Sequence, residues 1–279
     1  MLRFYLKSVL VDNFLERLTE EFRRVYGRSE EPFCDTIATA GMMAMEIIAE
    51  SDALYHDAEH SMMVTLVGQE ILRGKYLREG RVSAADWAHF IVSLLCHDIG
   101  YVRGICPGDA GKVAVINAAG ETVELPPSAT DAFLTPHHVE RGKLFVLWRF
   151  KDHPLIDART IAANIENTRF PVPAASDPAP GSNWPGLVRG ADLIGQLADP
   201  DYLRKLPALF HEFEETGANQ RLGHRTPDDL REQYPSFYWN FVSAHVKPSI
   251  EYLKVTRMGR KWLASLRATI FAAEHWQSL

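Results

Sequence analysis

The sequence predicts an all-α fold, a helical bundle with one small β-hairpin inserted in it. Three observations lead there. Apolar residues recur at helical spacing over most of the chain, helix-start signals precede several of those stretches, and a hairpin-like alternation of apolar and polar residues occurs in one short place.

Leu6, Leu10, Phe14, Leu18 and Phe22 step by four and describe an amphipathic helix that ends near Gly27. "PFCDTIATAGMMAMEIIAE" reads as a second helix. From His56 the series His60, Met63, Val64, Val67 and Ile71 marks a third, with His56 and His60 one helical turn apart. Ser83 and Asp86 form a capping box that opens a fourth, whose stripe of Trp87, Ile91, Leu94 and Leu95 runs on to Asp98. Threonine or aspartate before proline suggests further helix starts at Thr135, Asp199 and Thr226. "KVAVINAAGETVEL" alternates on either side of Asn117 to Gly120 and predicts the hairpin, an insertion at about 108–127 close to the site. Pro171 to Gly186 is too rich in proline and small residues for a helix and reads as a loop within one domain. Pro235 to Trp276 has a helical pattern broken at Pro248 and around Gly259.

A chain of 279 residues with 46% apolar residues buries a sizeable core, read here as one domain over 1–279 with its centre at about 52–255. The net charge of -6 and the absence of a basic cluster argue against nucleic acid as a partner. Cys34, Cys96 and Cys106 are odd in number and show no CxxC spacing, which fits free thiols and a cytoplasmic address. The apolar start is interrupted by Lys7 and Asp12 and no cleavage site follows, so neither a signal peptide nor a membrane span is expected. Oligomeric state is not legible.

The inward-facing polar residues carry the functional signal. His56 and His60 extend an apolar stripe, and "CHDIGY" ends an apolar helix in His97 and Asp98. In "GLVRGADLIGQLADP", Asp192 shares a face with Val188 and Gly195, while Gly190 and Gly195 permit close backbone approach. Each residue has an ordinary explanation: a hydrogen-bonded core histidine, an Asp98 that caps a helix or pairs with Arg103, an Asp192 that pairs with Arg189. One divalent ion held by His60, His97, Asp98 and Asp192 satisfies all of them together, where the ordinary explanations require three separate buried-polar arrangements. His137 and His138 stand at a helix start, from which one of them at most reaches the site, as a donor to substrate or a ligand to a second ion. "PGDAGKV" fails as a P-loop at Cys106 and Val113, neither GxGxxG nor GxSxG occurs, and His211 to Glu215 lacks the second histidine of HExxH.

Taken in order, these motifs resemble the HD superfamily of metal-dependent phosphohydrolases, in particular its cyclic-nucleotide phosphodiesterase-like class. "YHDAEHSMMV", "LLCHDIGY", "HHVERGKLF" and the segment from "RGADLIGQL" to "EFEETG" are each similar to a motif of that class, and together they span about 52–255. The resemblance implies an HD-domain, phosphodiesterase-like helical bundle that hydrolyses a small phosphorylated substrate, a nucleotide or cyclic nucleotide being the first guess. It implies His60, His97, Asp98 and Asp192 as metal ligands, Asp98 as a bridge to a second ion, and His56 as the general acid. A bound divalent ion lowers the pKa of its water to give the nucleophile, and a histidine near its working pKa suits the proton donor. Imidazoles with carboxylates suit Mn, Fe, Co, Ni or Zn better than Mg.

The departures are specific. Tyr101 stands where the class has a second histidine, and Thr135 where it has a glutamate, which weakens the case for a second ion. Aligning "FYWNFVSAHVKPSIEYL" puts Tyr238 where that class keeps its purine-gripping glutamine, so substrate binding falls to Tyr238 and His138. Two rivals follow: a di-iron oxygenase using His137 or His138 with a further histidine such as His153, and a regulatory module in which the metal only staples helices.

Overall fold

The computed structural model describes residues 2–172 and 183–275. Helices α1 (Leu2–Tyr26) and α2 (Glu31–Ala49) form an antiparallel pair, and α3 (Ala58–Glu79) and α4 (Ala84–Leu95) follow. The capping box on α4 is formed, Ser83 Oγ accepting from Asp86 N while the Asp86 carboxylate accepts from Ser83 N. Strands β1 (Val113–Val115) and β2 (Thr122–Glu124) pair antiparallel with Ala114 opposite Val123. The remainder is helical: α5 (His138–Arg149), α6 (Ala158–Glu166), α7 (Trp184–Leu197), α8 (Tyr202–Glu215), α9 (Ala218–Leu222), α10 (Pro227–Phe237), a π-helical turn (Tyr238–Val242), α11 (Ser243–Leu253) and α12 (Arg257–Glu274). One buried cluster draws on residues from α1 through α12, and Ala114, Leu125 and Leu134 make a small second one at the hairpin. Cys34, Cys96 and Cys106 are buried and unpaired. No helix among the described residues is long and apolar enough to cross a membrane.

Several local expectations need correction. Phe14, Leu18 and Phe22 are buried, but Leu10 is 59% exposed. At 3.6 residues per turn a step of four drifts by about 40°, so the stripe has rotated off the core by that position. His56 lies outside α3, because Asp57 caps the helix by accepting from His60 N at 3.0 Å. Asp98 is likewise off α4, which ends at Leu95, and stands in the turn before a 3-10 segment, Ile99–Tyr101. Thr135 ends the 3-10 segment Asp131–Leu134 instead of opening α5, and α8 begins after Asp201, two residues beyond Asp199. Thr226 does cap α10, reciprocally with Asp229. Of the expected loop at Pro171 to Gly186, residues 173–182 lie outside the described residues, and Trp184 to Gly186 is already helix, opened by Asn183. Pro248 sits inside α11, and the break comes at Lys254–Thr256, where Thr256 caps α12.

Close helix contact positions the site. A Cβ on Gly195 would meet Val64 Cα at 2.6 Å, and one on Gly190 would meet Ser249 Oγ at 2.1 Å. Glycine therefore lets α7 lie directly on α3, and Asp192 and His60, each one turn earlier than these contacts, are drawn together. Gly195→Ala is expected to cost about 1–3 kcal/mol as the helices separate, read as a lowered melting temperature. An unchanged melt would show that α3 and α7 have room to spare.

The hairpin is anchored by a fully buried arginine. Arg141 on α5 donates through Nη1 and Nη2 to both carboxylate oxygens of Asp109 at 3.1 and 2.9 Å, and also to the carbonyls of Gly100, Val102 and Val115. Burial pushes the Asp109 carboxyl up, and the Arg141 fork with the N–H groups of Val115 and Cys106 overrides this, holding it below the usual range. Asp109→Ala leaves the guanidinium buried without a counter-charge and is expected to cost about 3–5 kcal/mol in a denaturant titration. A depressed carboxylate contributes stability that is complete above its unfolded pKa and lost as pH falls through the folded one. The parent's advantage over the variant should therefore shrink in acid, and a gap that stays constant with pH would remove the ion pair from the account.

Candidate metal centre

The turn that carries His97 and Asp98, the start of α3 and the middle of α7 meet at one point. His60 Nε2, His97 Nε2 and a carboxylate oxygen of Asp192 lie within 4.8 Å of one another and form a group able to hold a metal ion. His60 Nε2 and His97 Nε2 are 3.8 and 3.6 Å from Asp192 Oδ1, and 3.3 and 3.2 Å from Asp98 Oδ2. Ligands at about 2.0–2.2 Å from an ion sit roughly 3.0–3.5 Å apart around it, so the Asp98 separations suit a coordination sphere and those of Asp192 are a few tenths of an ångström wider. His97 Nδ1 is 2.7 Å from Leu94 O. A carbonyl can only accept, so Nδ1 carries a proton, and in the neutral imidazole it is Nε2 that offers a lone pair. His97 Nε2 and Asp98 Oδ2 are buried with no hydrogen-bond partner. Orphaned donor atoms of this kind fit a cation held between them.

The electrostatics agree. Burial pushes His97 down, but Asp98 and Asp192 draw it up to about 9. Burial pushes Asp192 up, and the charge of Asp98 adds to that. Burial would raise Asp98 as well, yet His97 and His60 hold it well below the carboxylate range. Two carboxylates, Asp98 buried and Asp192 half-buried in the cavity wall, thus create a field that favours positive charge. Neither ordinary pairing forms: Arg103 binds Asp52 and Asp131 instead of Asp98, and no ion pair joins Arg189 to Asp192 among the described residues.

A cavity of about 240 Å3 opens from this cluster, with His56, Asp98, Tyr101, His138 and Asp192 in its wall. A family model described as Npun_R2479-like matches residues 4–276. The chain belongs to the Npun_R2479-like family. No curated protein and no solved structure matches it.

In this Npun_R2479-like chain His56 faces the cavity beside the cluster although it precedes the helix. Its Nδ1–H donates to Glu212 Oε2 at 2.5 Å, and Glu212 Oε1 accepts from Tyr55 N and His56 N at 2.7 and 3.2 Å. Burial pushes His56 down, but the Glu212 carboxylate outweighs this and lifts it to about 9. Tyr101 stacks between His56 and His138, 4.6 Å from each ring. His138 donates Nδ1–H to Thr135 O at 2.6 Å, which leaves its Nε2 lone pair 3.9 Å from Asp98 Oδ1. Burial pushes His138 down to about 4. His137, at the N-cap of α5, does not line the cavity. Of the two histidines only His138 arrives.

Two expected residues are placed elsewhere. Tyr238 is buried but does not line the cavity, whose wall from that segment is Phe237 and Phe241, stacked 5.5 Å apart. The π-helical turn carries Tyr238 round to the packed side. His153 also lies away from the cavity, its Nδ1 accepting from Leu155 N and Ile156 N, so the second-iron position of the oxygenase alternative is not assembled with it. The hairpin strands do not line the cavity. Their link to the site runs through Arg141, which holds the Gly100 carbonyl next to the turn of His97 and Asp98.

Glu212 is not legible in the sequence, nor are Gln233 and His224 in the cavity wall, joined at 2.9 Å, while Arg189 is expected only as a partner of Asp192 and lines the cavity instead. Glu212 is one of several acids in "FHEFEE". The available signal was its place one turn from Leu209, on the inward face of α8.

Proposed function

We propose that the protein is an HD-type metal-dependent phosphohydrolase that uses His60, His97, Asp98 and Asp192 to hold a divalent ion and His56 to deliver a proton to the leaving oxygen. The observation that supports this reading best is the buried pair His97 Nε2 and Asp98 Oδ2, 3.2 Å apart and neither with a hydrogen-bond partner. A bound divalent ion supplies an activated water and draws charge off the phosphoryl oxygens. The set of two imidazoles and two carboxylates suits Mn, Fe, Co, Ni or Zn. His56, paired with a buried carboxylate, is protonated at neutral pH and lies beside the cluster, as a general acid should. Tyr101 packs against it and fixes the plane of its ring. A helix staple has no use for a protonated histidine supported by its own carboxylate, which favours catalysis over a purely structural ion.

The cavity accepts a small molecule, with Phe237 and Phe241 offering ring faces and Gln233 an amide. A phosphoester such as a nucleotide or cyclic nucleotide is the substrate class in this reading. Elemental analysis of the purified protein, followed by a screen of phosphorylated metabolites for released phosphate or monoester, is the direct test. A bound transition metal with turnover of a phosphoester is expected. A metal-replete protein inert on the whole screen would overturn the activity.

A further inference from the structure

From the wall of the same cavity we infer that Arg189 is the residue that grips the phosphoryl group of the substrate, an assignment that rests on the hydrolase reading above. Arg189 is only 9% exposed and lines the cavity one helical turn before Asp192, on the same face of α7. Its Nε donates to Asn167 O at 2.6 Å, and its terminal nitrogens make no hydrogen bond or ion pair among the described residues. The guanidinium is therefore oriented from behind, with its fork left over.

Three other arginines, one fully buried and two partly exposed, all have carboxylate partners. Arg141 is paired with Asp109, Arg103 with Asp52 and Asp131, and Arg169, the second arginine of the cavity, with Glu140 and Glu166. Among the described residues Arg189 alone of these four makes no direct ion pair. A shielded cation without an ion pair is costly, and burial pushes the Arg189 pKa down although the charge of Asp192, one turn on, pulls the other way. Around the cavity the other charges balance in this reading: the two aspartates against a divalent ion, Glu212 against His56, and Glu140 and Glu166 against Arg169 and Lys143. One positive charge remains, beside the metal ligands, in the residue type whose planar fork matches the oxygens of a phosphoryl group.

Calorimetric titration of the manganese-loaded protein with inorganic phosphate tests this, with acetate as a second arm. Arg189→Gln is expected to weaken phosphate binding by about 10- to 100-fold. Metal content and melting temperature should stay at the parent's values, because a neutral side chain needs no counter-charge. Arg189→Lys should recover only part of the affinity, since it keeps the charge and loses the fork. Acetate should bind far more weakly than phosphate, and equal binding would overturn the phosphoryl assignment in favour of a carboxylate. Unchanged phosphate affinity in Arg189→Gln, or loss of metal from it, would also overturn the assignment and leave Arg189 as a support for α7. If phosphate binding depends on Arg189 while no phosphoester is hydrolysed, the inference about Arg189 stands and the proposed activity falls.

Discussion

Asp98→Ala is expected to empty the metal centre, taking the purified protein from about one ion per chain to nearly none. Asp98 Oδ2 stands 3.3 and 3.2 Å from the two imidazole nitrogens that face the centre, and it is buried without a hydrogen-bond partner. Removing it takes away both a ligand and half of the negative charge that offsets a dication in a poorly solvated place. The affinity lost should exceed the 10- to 100-fold range typical of residues that merely orient a ligand. Elemental analysis and an equilibrium titration with manganese read this directly. Asp98→Asn separates charge from size, and it should also lose the ion, because an amide supplies an oxygen and no charge. Full metal occupancy in either variant would mean that His60, His97 and Asp192 suffice alone, and that Asp98 serves another purpose.

The second large effect is expected at the His56 and Glu212 pair. His56→Ala should keep its metal and lose about 100- to 10,000-fold in kcat, the range associated with a positioned proton donor. Glu212→Gln should act through His56. Without the carboxylate, burial dominates and the imidazole pKa falls, so the protonated fraction at a given pH falls too. Activity that needs protonated His56 declines as pH rises through its pKa, and in Glu212→Gln that decline moves to lower pH. A pH profile of kcat for parent and variant measures the shift. If the alkaline limb stays where it was, the titrating acid is some other group; if His56→Ala sheds its metal, His56 belongs among the ligands.

How much of this was readable from the sequence follows from the range of each interaction. The hairpin, the α4 capping box and the Thr226 cap depend on residues within a few positions of each other, and all three formed. Asp192 was legible because Gly190 and Gly195 flank it, and those glycines do lie where a Cβ would collide with neighbouring helices. His56 was placed on α3 although Asp57, three residues before His60, carried the cap signal that excludes it. Glu212 could not be read, because its partner is 156 positions away in the chain and the neighbouring acids Glu214 and Glu215 look the same. Tyr238 was misplaced for a different reason. Sequence pattern assumes a helical step of constant angle, and the π-helical turn at Tyr238–Val242 changes that angle where the cavity wall is built.

In this reading side chains from three separate elements converge on one cation. The most direct measurement is an anomalous-difference map from crystals of the protein grown with manganese. The account predicts a single strong peak within about 2.0–2.3 Å of His60 Nε2, His97 Nε2 and a carboxylate oxygen from each of Asp98 and Asp192. A map with no peak in that cluster, or with the ion seated elsewhere, would contradict it.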